Sequence, residues 1–274
     1  MKILVPTDFS ILSNTASHFA AKMASVLTAE LVLIHVVHID TSRAVAAMHM
    51  KDIEDEIVDN AKKDCLKLAH ELKAEFGVSE VSYKIIKDYP VEDVIENYAV
   101  HNQIDFIIMG TKGATGLKKV LIGSNAAAVI SKSSIPVITV PEHSRFNGVN
   151  NIVYASDIET IDTELNKLVK FADLFGAAIH IIHVLTPGSD NIPDVAKMEE
   201  EIKEQFQYTS ISVEVKHNED ILYTIDEYIA DKKADIIAMF THKPSFLEKL
   251  FGKSITRQMA FHAMIPMISF KKTT

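Results

Sequence analysis

The stretch DFIIMGTKGATGLKKVLIGSNAAAVISKSSIPVITV, Asp105–Val140, decides how this chain folds. An apolar run stops at Gly110, a second glycine stands at Gly113, and a third, Gly123, directly precedes Ser124 and an Ala-rich segment. A second apolar run, IPVITV, closes the stretch at Val140. Short runs with no polar alternation are what a parallel strand covered on both faces requires. The order is therefore strand, glycine loop, helix, strand.

Upstream the same alternation recurs. KILVPTD leads into the helical SNTASHFAAKMASVL, then ELVLIHVVHI, then a long helical segment from Ala44 to Phe76. VSYKIIK and PVEDVIENYAVHN follow, with Pro90 suited to the first turn of a helix, where a missing N–H costs nothing. Strand–helix alternation of this kind predicts a doubly wound, Rossmann-like α/β domain with a mainly parallel five-stranded sheet and helices on both faces.

Beyond a polar break, PEHSRFNGVNN, the pattern restarts. NNIVYASD parallels MKILVPTD and aligns Asp157 with Asp8; AIHIIHV parallels ELVLIHV and aligns His183 with His35. Tyr228 falls on Tyr98, Asp235 on Asp105, and Pro266 on Pro136. Self-similarity over a whole domain length means tandem copies. The expected division is an N-terminal domain over residues 1–141, a linker over 142–150 and a C-terminal domain over 151–274.

The glycine loop suits an anion. Gly110 ends a strand at its carboxyl end, where α/β sheets place ligands. Glycines at 110 and 113 permit positive φ and bring bare N–H groups close to a ligand. Gly123-Ser124 opens a helix whose first N–H groups lack internal partners and whose dipole favours a phosphate. Lys112, Lys118 and Lys119 raise the local potential, and Asp8, at the end of the first strand, offers an acceptor to a ribose or base. Bland readings stand beside these: Ser124 as an N-cap, Gly110 as a tight turn, and Asp8 as the cap of a helix starting near Ser10.

Both halves resemble the universal stress protein family. The first carries the opening VPTDFS, Val5–Ser10, and the family's spacing of glycine, two residues, glycine, nine residues, glycine and serine at Gly110, Gly113, Gly123 and Ser124. The resemblance implies a site for ATP or a related adenine nucleotide at Pro6, Thr7, Asp8, Val36, Met109, Gly110, Gly113, Gly123, Ser124 and Asn125. Val36 matches a valine that lies against the base, and Mg2+ would be carried on the phosphates without a protein cage. The family also implies that the last strands of two such domains pair, with VITV and MISF as the candidates. The expected assembly is an intramolecular pseudo-dimer, with a homodimer of whole chains as a further option.

The second copy departs from the motif. Gly110 becomes Phe240, Gly113 becomes Lys243, and Gly123 becomes Lys253; Ser254 alone matches Ser124, and Pro244 stiffens the loop. This half is expected not to hold a nucleotide by that route. FGKS, ending at Ser254, imitates the end of a phosphate loop, but such a loop needs a glycine where Leu247 stands.

Composition limits the alternatives. The chain has 274 residues, a net charge of −9, and 47 % hydrophobic and 24 % charged residues. No basic arm or cluster is present, which argues against nucleic acid as a partner. No apolar segment reaches the roughly 20 residues that cross a bilayer, and the opening residues carry no secretory leader, so a cytoplasmic protein off the membrane is expected. The single cysteine, Cys65, makes no internal disulfide and reads as a small apolar residue. No metal site is expected: His35/His38 and His180/His183 sit three apart, on opposite faces of a strand. No catalytic set can be named.

The leading expectation is a nucleotide-binding stress-response protein acting through an unidentified regulatory partner. Its rivals are an interaction scaffold without nucleotide, and a slow ATPase or self-phosphorylating protein with Ser124 or Thr111 as acceptor. A further rival gives the second half a different ligand in a pocket lined by Phe240, Phe246 and Phe251, although core packing explains these rings as well.

Overall fold

The computed structural model describes residues 1–38, 47–111, 123–158, 161–187, 194–241 and 265–271. The described residues fall into two compact units, one over 1–111 and 123–146, the other from 147 to 271. In the first, β1 (Lys2–Pro6), α1 (Ile11–Leu27), β2 (Glu30–Val37), α2 (Ala47–Phe76), β3 (Val81–Lys87), α3 (Val91–His101), β4 (Phe106–Gly110), α4 (Ser124–Lys132) and β5 (Val137–Val140) follow in order. The strands pair in parallel as β3-β2-β1-β4-β5.

Burial explains the reading of those strands. Ile3–Val5, Leu31–Ile34, Phe106–Met109 and Val137–Ile138 are buried on both sides of the sheet. β3 lies at the edge and alternates between half-buried and exposed positions along most of its length. Helix α1 packs with α2, and α3 with α4. Right-handed crossovers put one pair on each face of the sheet. The chain winds from β1 outward to β3 and then crosses back to β4, so the strand order reverses between β1 and β4. Sheets of this type bind ligands in the crevice outside that switch point. Cys65 on α2 is fully buried, and burial pushes its thiol up to about 11, so it stays protonated and inert.

The second unit repeats the plan with β6 (Asn151–Ala155), α5 (Ile161–Asp173), β7 (Ala178–Leu185), α6 (Val195–Phe206), β8 (Ile211–His217), α7 (Ile221–Lys232), β9 (Ile236–Thr241) and β10 (Met267–Lys271). Its strands are also parallel, ordered β10-β9-β6-β7-β8. Among the described residues no helix is long and apolar enough to cross a membrane, and no group of acids, histidines and cysteines is arranged to hold a metal.

Candidate functional site

The carboxyl end of β1 is a tightly bonded turn. Phe9 takes a left-handed backbone with φ of 61°, a conformation that costs a non-glycine residue about 1–2 kcal/mol. Three hydrogen bonds hold the turn. The Phe9 N–H donates to Thr7 Oγ1 at 3.1 Å, the Ser10 N–H donates to Asp8 Oδ1 at 3.0 Å, and His35 Nδ1 donates to the Thr7 carbonyl at 2.8 Å. The Phe9 ring lies on the His35 ring, with centroids 4.9 Å apart. Thr7 is buried, and its hydroxyl also meets Ser13 Oγ at 3.2 Å.

This turn presents the Asp8 carboxylate to solvent beyond the sheet edge. Partial burial pushes the carboxyl up, but hydrogen bonds from Ser10 and Ser13 outweigh that and hold it below the usual carboxylate value. Asp8 is therefore an anion that only accepts hydrogen bonds, as binding sugar hydroxyls requires. It is not the cap of α1. Ser10 fills that place, its side chain accepting from the Ser13 N–H.

The end of β4 shows a different economy. Gly110 is not left-handed, so the positive φ that a glycine permits is not used there. A Cβ at Gly110 would stand 2.7 Å from the Leu12 carbonyl oxygen and 2.9 Å from its carbon, both backbone atoms of α1. The glycine lets the first turn of α1 sit directly on the strand end. After it, Thr111 is 5 % exposed, and its buried Oγ1 has no hydrogen-bond partner among the described residues.

Helix α4 begins with Gly123 as N-cap (φ −61°, ψ 152°), with no side chain capping it and no acid in its first turn. Ser124 is thus the first helical residue rather than the cap. Other described caps contrast with it. Ser10, Asp194 and Asp220 cap α1, α6 and α7 with their side chains, and α3, entered at Pro90, has Glu92 and Asp93 in its first turn. Among the described N-caps, α4 alone has neither device. Its orphan N–H groups and the positive end of its dipole stand beside exposed Ser124 and Asn125. Such an end accepts an anion.

The second unit keeps the turn after its first strand and differs at the end of its fourth. Ile158, the counterpart of Phe9, is also left-handed at φ 60°. Its N–H donates to Ser156 Oγ at 3.0 Å, and His183 Nδ1 donates to the Ser156 carbonyl at 2.9 Å. At the strand ends, however, Tyr154, Phe240 and Phe270 stand where Val5, Gly110 and Val140 stand in the first unit. Phe240 is 4 % exposed, stacked on Phe270 at 4.9 Å and edge-on to Tyr154 at 5.4 Å. Its ring is core, as the bland reading expected. Buried Tyr154 donates its hydroxyl hydrogen to Glu164 and accepts from Ser156 Oγ at 3.1 Å. Burial, and then the Glu164 carboxylate, push the Tyr154 phenol far above its ordinary value, so it remains a donor.

Of the residues singled out in the sequence, the structure therefore brings Pro6, Thr7 and Asp8 to the end of β1 and half-buried Val36 to the end of β2. It brings Gly110 to the end of β4 and Gly123, Ser124 and Asn125 to the start of α4. Met109 is buried inside β4, 7 % exposed, which leaves only its backbone near the edge. Gly113, Lys112, Lys118 and Lys119, and in the second unit Lys243, Pro244, Phe246, Leu247, Phe251, Lys253 and Ser254, lie outside the described residues. Sequence reasoning gave no role to His35 or His183. Their recurrence at aligned positions was the available signal, since each fixes the same turn carbonyl.

Comparison with known proteins agrees with this architecture. Residues 1–141 and 150–271 each match the universal stress protein family. The universal stress protein MJ0531 of Methanocaldococcus jannaschii is 31 % identical over 139 residues, spanning 51 % of this chain and 81 % of its own. The universal stress protein YxiE of Bacillus subtilis is 32 % identical over 147 residues, 51 % of this chain and 97 % of its own. A solved universal stress protein from Archaeoglobus fulgidus shares the fold along 98 % of both chains, with a TM-score of 0.75 at 21 % identity. With two matched segments on two sheets of one plan, the chain belongs to the universal stress protein family as a tandem, two-domain member.

Proposed function

We propose that the N-terminal half binds ATP or a related adenine nucleotide and that the protein reports this state to a regulatory partner. The observation that carries the reading is the open start of α4. Among the described residues, a helix end with no side-chain cap and no first-turn acid follows β4 at the switch point of a parallel sheet, and the buried Thr111 hydroxyl at the end of β4 has no partner. On this reading the phosphates, with Mg2+ on them, lie at Gly123–Asn125, and Asp8 accepts from the ribose. The second half, with aromatic rings packed at its strand ends, serves as a built-in dimer partner without a nucleotide of its own. We place the protein in the cytoplasm, where adenine nucleotides are abundant.

Titration calorimetry of MgATP into the intact chain and into Ser124→Asp tests this. The added carboxylate suits a helix N-terminus and so preserves the fold, but it repels a phosphate. The expected result is one site per chain, weakened at least about tenfold in the variant by a lost charge-favouring position. No binding by the unaltered protein, or two equal sites, would overturn the reading.

A further inference from the structure

We propose that His38 and Tyr89 form the stacking shelf that selects the purine base in the N-terminal half, an inference that rests on the nucleotide reading above and adds the groups that read the base. His38 is the first residue after β2, and Tyr89 the second after β3. These strands are adjacent and parallel, with Val37 opposite Lys87, so both rings stand just past the same edge of the sheet that carries Asp8 and α4. The ring centroids are 4.4 Å apart at 34°, and Tyr89 remains 63 % exposed. The Tyr89 N–H donates to Asp88 Oδ1 at 2.7 Å, which anchors the backbone that carries the ring.

The order of the strands puts three chemistries in line. Along β3-β2-β1-β4 they run from the aromatic pair at β3 and β2, to the Asp8 carboxylate at β1, to the open helix end that follows β4. Neighbouring strands lie about 4.8 Å apart, so β4 and β2 are separated by about 10 Å. That matches the reach of a nucleotide from its phosphates, past the ribose, to its base. A base at the β2 end meets the exposed His38 and Tyr89 faces, and a flat π-system stacks on such faces whatever its hydrogen-bonding edge. The larger face of a purine gains more from this than a pyrimidine does.

The second half supplies an internal control. At the positions of His38 and Tyr89 it has Thr186 and Glu219, and at the position of Gly110 it has the buried Phe240. Both rings are missing from the half whose strand end is filled. A purely structural pair would have no reason to disappear together with the glycine.

The test uses the intact protein and three probes: MgATP, MgUTP and inorganic tripolyphosphate. Tyr89→Ala should weaken MgATP about tenfold, remove most of the preference for MgATP over MgUTP, and leave tripolyphosphate unchanged. His38→Ala should act in the same direction, and Tyr89→Phe should bind as the unaltered protein does. Because Tyr89 is exposed, these variants are expected to unfold at the same urea concentration as the parent. The shelf is overturned if Tyr89→Ala binds MgATP normally, or if it loses MgATP and tripolyphosphate equally. Tripolyphosphate binding without any advantage for MgATP in the unaltered protein would overturn the shelf alone. Binding of none of the three probes would overturn both the shelf and the nucleotide site.

Discussion

The two halves agree at the end of their first strand and disagree at the end of their fourth. Thr7-Asp8-Phe9 and Ser156-Asp157-Ile158 make the same left-handed turn, each tied back by a histidine from the neighbouring strand. Gly110 and Phe240, by contrast, do opposite things with the same place in the sheet. One yields its side-chain volume to the backbone of α1, and the other fills volume with a ring stacked on Phe270. The shared turn is a property of the fold, needed to leave β1 and enter the next helix. Recurrence of the aspartate is therefore weak evidence for a ligand, whereas the fourth strand is where the halves diverge in what they can admit.

The largest effects are expected at that divergent position. Phe240→Ala removes a buried ring that touches Tyr154 and Phe270, and large-to-small changes of this kind cost about 3–5 kcal/mol. Gly110→Ala adds a methyl within 2.7 Å of a backbone oxygen that cannot rotate away, so α1 must shift, at a cost of about 1–3 kcal/mol. Urea denaturation of both variants checks the pair. A neutral Gly110→Ala would mean that the glycine is kept for a ligand's approach and not for helix packing.

A middle-sized effect separates the halves by pH. Glu96 on α3 accepts from Ser134 twice, from the N–H at 2.9 Å and from Oγ at 2.7 Å. Its counterpart on α7, Asp226, is pushed up to about 6 by burial and then by Asp220. That value lies above the unfolded value of about 3.9. Between those two values the folded state binds the extra proton, so stability falls as pH rises through the window and the penalty is complete above it. Two units amount to about 2.7 kcal/mol, which solvent screening of a half-buried group reduces to about 1 kcal/mol. Asp226→Asn should therefore stabilise the protein by about 1 kcal/mol at neutral pH and leave it unchanged near pH 4. Glu96→Ala should destabilise by about 1 kcal/mol through its lost bonds to Ser134. Denaturation midpoints across that pH range decide it, and a pH-independent gain from Asp226→Asn would remove the titration account.

Much of the plan was legible because parallel strands buried on both faces must be short and apolar, and because a second copy of each pattern follows the first. The start of α4 was legible too, since a glycine before a serine at that spacing announces a helix entry. What was not legible depends on packing between distant segments. Gly110 reads as a ligand-loop glycine or a tight turn in the sequence, and only the position of Leu12 reveals a contact glycine. Phe9 and Ile158 are residue types that avoid positive φ, so nothing local predicts their turn; bonds from β2 and β7 impose it. The His38–Tyr89 pair joins two strand ends separated by the whole of α2, and no spacing rule links them. Phe240 was legible as an obstacle and, on the bland reading, as core, but its partners were not, because Tyr154 and Phe270 reach it from two other strands.

The smallest effect tests the agreement between the halves. His35 and His183 each donate from Nδ1 to a strand-end carbonyl, at 2.8 Å and 2.9 Å. In each case the bond restrains a residue at positive φ two positions further on. Replacing either by phenylalanine keeps a ring but deletes the donor, and a single hydrogen bond of this kind contributes about 1 kcal/mol. The two losses should be nearly equal, and additive in the double variant, because the turns sit in separate units and share no partner. Nucleotide binding separates the two further: His35→Phe should weaken MgATP by loosening the backbone that carries Asp8, whereas His183→Phe should leave it untouched. Equal losses of binding from both substitutions would mean that the second turn also serves a ligand, and the contrast drawn at Phe240 would fail with it.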